Sequence, residues 1–255
     1  MVYFLSDVHL GLDLPGDLSK DREKRLATTL LEFLGNATEL YLLGDIFDYW
    51  FEFQNGKHPE YSIFFSVLQK YNEKNIPIYQ FCGNHDLWLG SFLSKQFNVH
   101  IIKQPLKKTI LGKRFYLAHG DGLGKGDFSY KLLKKIFTNS VSISLFGLLP
   151  ADIGFSIMKY FSARSRNNHG DESFNYASDR LLEFCENHST MHDFDFYLMG
   201  HRHLLLRLPL ENNNSEYINL GDWLSYDSYA CFDGTTMQVI SKTGKPILIE
   251  EKLYG

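Results

Sequence analysis

Thiol chemistry has little support in this sequence. The chain of 255 residues contains three cysteines, Cys82, Cys185 and Cys231, which are far apart. The absence of any Cys-x-x-Cys pair excludes both a zinc ribbon and a disulfide framework. We therefore predict that all three are buried structural thiols in a reducing compartment.

Long apolar runs are also missing. No stretch reaches the roughly 18 apolar residues that a transmembrane helix requires. The first residues, MVYFLSDVHLG, contain neither a basic segment nor a small-residue cleavage site, so they predict a strand and not a signal peptide. We expect a cytoplasmic protein that is soluble or at most peripheral at a membrane.

An excess of positive charge is the third absence. The chain has 26 Lys and Arg against 30 Asp and Glu, which gives a net charge of -4. This acidic balance, without a broad basic stripe, predicts no nucleic-acid partner.

The spacing of apolar residues predicts strands that alternate with helices. The predicted strands are Val2–Leu5, Leu40–Leu43, Ile76–Cys82, Thr109–Leu111, Arg114–Ala118, Phe194–Met199, Glu216–Leu220 and Met237–Ile240. The predicted helices are Asp17–Leu34, Pro59–Asn75 and Glu172–His188. This alternation indicates a layered α/β fold, in which ligands bind beyond the carboxyl ends of the strands.

Five of these strands are followed by side chains that can bind metals. The blocks are Asp7-Val8-His9, Gly44-Asp45 with Asp48, Gly83-Asn84-His85-Asp86, His119-Gly120-Asp121 and Gly200-His201-Arg202-His203. Carboxylate, imidazole and amide oxygen together suit Mn²⁺, Fe or Zn²⁺, and not an ion that prefers thiolates. Two metal ions about 3.5–4 Å apart need a shared carboxylate. Asp45, in the middle of the set, is the natural bridge.

In this order the blocks resemble the calcineurin-like metallophosphoesterases, whose pattern is D-x-H, G-D-x-x-D, G-N-H-D/E, an H-G-D-like block and G-H-x-H. The resemblance extends from Asp7 to His203. It implies one domain over residues 1–255, with the four-layer αββα double β-sandwich of that family. It also implies two divalent metal ions, with Mn²⁺ preferred and Fe or Zn²⁺ as alternatives.

The resemblance further assigns a role to each side chain. The first metal ion takes Asp7, His9, Asp45 and His203, and the second takes Asp45, Asn84, His119 and His201. His85 faces the substrate phosphate and either protonates the leaving oxygen or serves only as a phosphate ligand. Asp48 and Asp86 complete the catalytic set by orienting the ligands. Asn84 and His201 also contact the substrate.

Residues 128–166 interrupt the alternation of strands and helices. This segment is rich in Phe, Leu and Ile, and its charged residues are Lys131, Lys134, Lys135, Lys159, Arg164 and Arg166 against Asp152 alone. We interpret it as a helical insert. It is either a capping subdomain with its apolar residues packed inward, or a lid that accepts acyl chains at an anionic membrane surface.

The stretches GDIFD, HGDGLGKGDFSYK and SARSRNN resemble the UDP-2,3-diacylglucosamine pyrophosphatases of lipid A biosynthesis. That resemblance implies release of UMP and 2,3-diacylglucosamine 1-phosphate by a monomer, peripheral on the inner face of the inner membrane. It places Asp127 and Tyr130 near the sugar. It places Arg164, Arg166 and Asn168 at the glucosamine or the diphosphate, which a guanidinium can bind bidentately.

Two departures keep other functions open. His85 stands where the best-known pyrophosphatases of this type have Arg, and Leu204-Leu205-Leu206 lacks the proline often seen there. The alternative is a soluble metallophosphodiesterase or pyrophosphatase that acts on another nucleotide or lipid phosphoester. A non-catalytic binding module is a third hypothesis. It predicts degenerate metal blocks, whereas every ligand position is filled here.

Overall fold

The computed structural model describes residues 1–54, 56–126, 128–168, 179–212, 214–245 and 247–249. Its strands are β1 (Val2–Leu5), β2 (Glu39–Leu42), β3 (Ile78–Phe81), β4 (His100–Ile102), β5 (Leu106–Ile110), β6 (Lys113–Leu117), β7 (Phe196–Met199), β8 (Leu205–Pro209), β9 (Glu216–Leu220), β10 (Ser228–Phe232), β11 (Met237–Ser241) and β12 (Leu248–Ile249). Its helices are α1 (Ser19–Phe33), α2 (Ser62–Glu73), α3 (Phe92–Phe97), α4 (Phe128–Phe137), α5 (Ser140–Phe146), α6 (Ala151–Asn168) and α7 (Arg180–Ser189).

The strands form two six-stranded sheets, in the orders β11-β10-β1-β2-β3-β4 and β12-β8-β9-β7-β6-β5. β1 to β4 run parallel in the first sheet, and β6, β7 and β9 run parallel in the second. An apolar cluster fills the space between the sheets, where Phe4 stacks on Tyr41 at 5.1 Å and on Phe115 of the second sheet at 5.6 Å. Because side chains alternate along a strand, Tyr3 and Leu5 face the opposite way, toward the helices.

Helices cover the outer face of each sheet. Leu26 and Leu30 of α1 pack with Phe64 of α2 over the first sheet. Leu181 and Cys185 of α7 pack over the second sheet. The predicted α/β architecture with αββα layers is therefore confirmed, and its sequence of layers follows from strands that are apolar on both faces.

Several predicted boundaries needed correction. α7 begins at Arg180, where the Asp179 side chain accepts hydrogen bonds from the backbone amides of Leu181 and Leu182 and caps the helix. The start of the predicted helix Glu172–His188 falls outside the described residues. Residues 169–178 lie outside the described part of the chain. The predicted strand Thr109–Leu111 belongs to the longer β5, which stops at Ile110 because Leu111 has a positive φ of 46°. The prediction missed α3 and β4, and among the short strands expected in the C-terminal part of the chain it did not name β8, β10 or β12.

Residues 128–168 contain the three helices α4, α5 and α6. The buried positions of α6, Ala151, Gly154, Met158 and Ser162, are three or four residues apart and therefore share one face. This face packs against a loop that carries Phe53, and Phe53 is buried together with Ala151 and Met158.

A second attachment joins α4 to the turn that follows β3. The Trp88 indole Nε1 donates a hydrogen bond to the Phe137 carbonyl at 2.7 Å. The Trp88 ring also lies edge-on to Phe51 at 5.4 Å and against Phe146 at 5.0 Å. The insert is therefore fixed to the same loop that supplies Asn84, His85 and Asp86.

Within the described residues, no single helix has the length and hydropathy of a membrane span. Residues Ser140–Phe146 and Ala151–Arg164 reach that composition only when they are taken together, and they are bent by 120° relative to one another.

The close contact of α6 can be tested with Gly154→Ala. A Cβ atom at this position would lie 2.2 Å from the Phe53 ring, so either the ring or the helix must shift. Overpacking of this kind lowers the free energy of unfolding by about 1–3 kcal/mol. The higher helix propensity of alanine relative to glycine offsets roughly 1 kcal/mol of that loss. We expect a lower free energy of unfolding in chemical denaturation. Gly147→Ala is the matched control, since its Cβ meets no atom closer than 3.4 Å.

Candidate metal centre and active site

The predicted metal ligands lie at one edge of the molecule, where parallel strands of both sheets end. Asp7 and His9 follow β1, Asp45 follows β2, Asn84 follows β3, His119 follows β6, and His201 and His203 follow β7. In groups of three, the donor atoms of these side chains lie within 4.8 Å of one another: Asp7, His9 and His203 form one group, and Asp7, Asp45 and His119 form another. His85 joins His9 and Asp45 in a third group.

The backbone at this edge is unusual for residues with side chains. Asp7, His9, Asp45, His201 and His203 all have positive φ, between 51° and 68°. Such conformations are uncommon outside glycine and cost of order 1–3 kcal/mol each. The turns therefore hold the ligands in place against their local preference, which is typical of functional sites.

Two glycines allow the ligand carboxylates to approach the backbone. A Cβ atom on Gly83 would lie 2.2 Å from an Asp45 carboxylate oxygen, and one on Gly200 would lie 2.2 Å from an Asp7 carboxylate oxygen. The backbone N–H of His201 donates to the same Asp7 oxygen at 3.0 Å. The glycines in the G-N-H-D and G-H-x-H blocks thus make room for carboxylates from other blocks.

Hydrogen bonds fix the ring orientation of two histidines in the first group. His9 Nδ1–H donates to Asp48 Oδ1 at 3.3 Å, and His203 Nδ1–H donates to Asp222 Oδ2 at 3.0 Å. Each neutral ring then has its lone pair at Nε2, and the two Nε2 atoms lie 3.3 Å apart. Two ring nitrogens at this distance need a proton or a cation between them, so the geometry fits a metal ion.

The second group shows the same arrangement. His119 Nδ1–H donates to the Leu43 carbonyl at 2.8 Å, which leaves Nε2 facing Asn84 Oδ1 at 3.1 Å and Asp45 Oδ2 at 3.3 Å. His201 Nδ1 lies 2.8 Å from the same Asn84 oxygen. Asp45 lies between the groups, because its Oδ2 is also 3.9 Å from His9 Nε2.

The electrostatics of the site also favour a cation. Burial acts to lower the pKa of His119, but the carboxylates of Asp45, Asp7 and Asp121 outweigh it and raise that pKa to about 10. Burial likewise acts against the charge on His203, whose hydrogen bond to Asp222 and proximity to Asp7 raise the pKa to about 9. The excess negative charge that binds these protons is what a divalent ion would neutralise. A set of carboxylate, imidazole and amide donors fits such an ion.

Asp86 supports the turn that carries Asp45. Its carboxylate accepts hydrogen bonds from the backbone N–H groups of Gly83 at 2.7 Å, Ile46 at 3.0 Å, and Asp45 and Phe47 at 3.3 Å. Burial and the nearby Asp45 carboxylate raise the pKa of Asp86 to about 7. A cation bound at Asp45 would reduce that repulsion, so metal binding and the Asp86 hydrogen bonds should reinforce each other.

His85 and Asp48 lie on the side of the site that faces the insert. The His85 backbone N–H donates to Asp45 Oδ1 at 2.8 Å, and its ring Nδ1–H donates to the Asp48 carbonyl at 3.1 Å. Ser162 of α6 completes this corner, because its hydroxyl donates to Asp48 Oδ2 at 2.7 Å and its oxygen is 3.2 Å from His85 Nδ1. One residue of the insert therefore contacts the site directly.

Sequence reasoning missed two of these residues. Asp222 follows β9 after Gly221, which is the same signal that identified Asp45 after Gly44, so it could have been found. Ser162 gave no signal, because a serine in a helix is common and its contact is 114 residues away in sequence.

The structure describes only some of the residues predicted to contact the substrate. The Tyr130 hydroxyl donates to the Asp121 carboxylate, and Arg164 is exposed on α6. Asp127 and the side chains of Arg166 and Asn168 lie outside the described residues. The predicted roles of these residues at the sugar and diphosphate stay predictions.

An edge of two sheets that gathers carboxylates, imidazoles and an amide around Asp45 defines a metal-dependent hydrolase. Residues 1–205 match the calcineurin-like phosphoesterase family, and the chain belongs to that family. The family assignment confirms the resemblance seen in the five sequence blocks.

Curated relatives are similar over nearly the whole chain. A UDP-2,3-diacylglucosamine hydrolase from Porphyromonas gingivalis is 33% identical over 92% of this chain and 95% of its own length. A protein of the same name from Psychromonas ingrahamii is 25% identical over 89% of this chain and 91% of its own length. Among solved structures, an archaeal phosphodiesterase has a TM-score of 0.46 and 14% identity over 94% of this chain and 98% of its own.

Asp222→Asn tests whether the partner of His203 controls metal binding. The introduced amide oxygen can still accept hydrogen bonds from the backbone N–H groups of Leu224 and Ser225. The amide NH₂ group, however, would replace the carboxylate oxygen that faces His203 Nδ1. The proton of His203 then shifts to Nε2, which removes the lone pair for the metal. Loss of such a partner lowers metal affinity by about 10–100-fold. We expect this result in Mn²⁺ titration calorimetry, with circular dichroism showing that the metal-free variant is folded. Equal Mn²⁺ affinity would contradict it.

Ser162→Ala tests the contact between α6 and the site. The substitution leaves Asp48 Oδ2 without the hydroxyl donor and should loosen both His9 and His85. A hydrogen bond to a charged group contributes about 1.5–3 kcal/mol, so we expect kcat on an aryl phosphodiester to fall about 10–100-fold, with KM little changed.

Ser162→Thr keeps the hydroxyl and should recover most of the rate. Ser156→Ala on the exposed face of the same helix is the matched control, because Ser156 bonds only to the Asp152 carbonyl in the described contacts. If Ser162→Ala behaves like Ser156→Ala, Ser162 has no positioning role.

Proposed function

We propose that this chain hydrolyses the pyrophosphate bond of UDP-2,3-diacylglucosamine and releases UMP and 2,3-diacylglucosamine 1-phosphate, with two Mn²⁺ ions as cofactors. The observation that carries the proposal is the similarity to the Porphyromonas gingivalis hydrolase, at 33% identity over 92% of the chain. The filled ligand positions support catalysis and disfavour a non-catalytic binding module.

The geometry indicates how the residues of the chain serve this reaction. Divalent ions bound at this site would supply a water of lowered pKa and charge to stabilise phosphoryl oxygens. Asp45 would serve both ions, and Asn84 and His119 would hold the second with their oxygen and Nε2. Burial lowers the pKa of His85. With Nδ1–H fixed on the Asp48 carbonyl, its Nε2 is the ring atom that would face the substrate phosphate, either to pass a proton from solvent to the leaving oxygen or to serve as a phosphate ligand.

The insert offers the surface that an acylated substrate requires. Ten of the fourteen exposed large apolar side chains in the described residues belong to it: Phe128, Leu132, Leu133, Ile136, Val141, Leu145, Leu148, Ile153, Tyr160 and Phe161. A patch of this kind marks an interaction site. We propose that residues 128–166 act as a lid for the acyl chains and, with their lysines, hold the single-domain monomer on the inner face of the inner membrane.

The second candidate is a metallophosphodiesterase with another nucleotide or lipid substrate. It is favoured by His85, which is the residue of the general family pattern. It predicts that acyl chains make no difference to turnover.

The test is Mn²⁺-dependent hydrolysis of UDP-2,3-diacylglucosamine beside UDP-N-acetylglucosamine, with products identified by mass spectrometry. We expect UMP and the diacyl sugar phosphate from the first substrate and negligible turnover of the second, because only the first can use the apolar insert. Asp45→Ala should reduce the rate to near background. Turnover of an aryl phosphodiester without turnover of either UDP-sugar would favour the second candidate.

The lid can be tested by replacing Leu132, Leu145 and Phe161 with serine. These side chains are exposed, so their replacement should not unfold the protein. Replacement of Phe146 in α5 would, because that side chain packs against the buried Phe51 and Phe53. We expect KM for the acylated substrate to rise by at least an order of magnitude, since even one buried apolar side chain contributes about 1.5–3 kcal/mol. The matched control replaces Leu31 and Met191, which are exposed outside the insert. Equal KM in both variants would rule out the lid.

A further inference from the structure

A cleft of about 230 Å³ opens beside the metal centre. Its walls come from the ends of β3, β4 and β6 and from α4, so it crosses the seam between the two sheets at their carboxyl edges. His119 forms part of the wall. A group bound at the second metal position therefore borders directly on this cleft.

The cleft is cationic in an acidic protein. Lys103, Lys131 and Lys134 line it, against the single carboxylate of Asp121. Lys131 and Lys134 are three residues apart on α4 and share one face of that helix. The Lys131 ammonium donates to the Gly124 carbonyl at 2.7 Å, and Lys134 pairs with Asp121 at 2.5 Å. Lysines concentrated in a recess favour an anionic ligand.

Much of the remaining wall is apolar. Phe81 at the end of β3, Ile102 at the end of β4 and the nearby Pro105 contribute apolar groups, beside the polar side chain of Gln104. A recess with ammonium groups on one wall and apolar side chains on another suits a ligand that combines a phosphate with a flat ring. Its volume falls just below the range of about 300–1,000 Å³ for sites that enclose a drug-sized ligand. It is too small for a whole acylated nucleotide sugar and fits one part of it.

α4 presents cationic side chains on one face and apolar side chains on another. Lys131 and Lys134 face the cleft, whereas Phe128, Leu132 and Ile136, spaced four residues apart, are exposed on another face. An acyl chain in the cleft would lie beside the ammonium groups of Lys131 and Lys134, whereas the exposed face of α4 offers it Phe128, Leu132 and Ile136. The cleft is therefore poorly suited to the lipid part of a substrate.

We infer that this cleft is the subsite for the nucleoside monophosphate part of the substrate, with Lys103 and Lys131 binding its phosphate and the apolar wall receiving its base. The assignment rests on the proposed function, because that function makes a nucleoside monophosphate one of the two products. It places Tyr130, through its bond to Asp121, on the nucleotide side of the scissile bond.

The experiment measures UMP binding to the full-length chain by titration calorimetry, with Mn²⁺ bound and again after chelation. Lys103→Ala and Lys131→Ala should each weaken UMP about tenfold in both states, as loss of a charge-assisted hydrogen bond does. Lys135→Ala is the matched control, since Lys135 lies on the same helix but outside the cleft wall. Lys134 is left intact because it neutralises the buried Asp121.

Inorganic phosphate and uridine are the companion probes. If UMP binds more tightly than both, and only the two cleft variants weaken it, the subsite holds a nucleotide. If phosphate binds as tightly as UMP, the cleft is a simple anion site and the assignment fails. It also fails if UMP affinity is equal in all three variants.

Failure of the subsite and failure of the proposed function give different results. Hydrolysis of UDP-2,3-diacylglucosamine with wild-type KM in Lys103→Ala and Lys131→Ala would refute the subsite and keep the function. If UMP binding depends on the two lysines but UDP-2,3-diacylglucosamine is not hydrolysed, the nucleotide subsite stands and the proposed diacylglucosamine substrate is refuted.

Discussion

This structure depends on one constraint: nitrogen and oxygen atoms of several side chains are held close together at the carboxyl edge of the sheets. The Nε2 atoms of His9 and His203 lie 3.3 Å apart, and His119 Nε2 faces the oxygens of Asn84 and Asp45. These nitrogen and oxygen atoms remain close together only if a proton or a cation lies between them and the backbone cannot relax. Five of these ligand residues have positive φ. The two buried sheets, fixed by the cluster between them, keep the turns in that state.

Hydrogen-bond partners around these side chains fix their orientation. Asp48, Asp222 and the Leu43 carbonyl each accept the Nδ1 proton of one ligand histidine, and thereby expose its Nε2. Asp86 fixes the turn of Asp45 through backbone amides. The orientation of the ligands is therefore decided by groups that do not themselves bind the metal.

The insert contributes to the site at two places of different character. α6 reaches Asp48 and His85 through the hydroxyl of Ser162, and its close approach is possible because Gly154 has no side chain. α4 provides lysines to the cleft and exposes apolar side chains on another face. This division matches a substrate that is anionic at one end and apolar at the other, with the scissile bond between them.

The sequence by itself determined the five ligand blocks and the layered α/β fold, because each block is local: an apolar strand, a glycine and the polar residues after it. Asp222 carried the same local signal. Only the tertiary structure decided the contact of Ser162 with Asp48, across 114 residues, and the meeting of Lys103 with Lys131 in one cleft. The short strands β4, β8 and β10 likewise exist through their pairing partners. Contacts between distant segments depend on how whole layers pack, and no local pattern of residues records that packing.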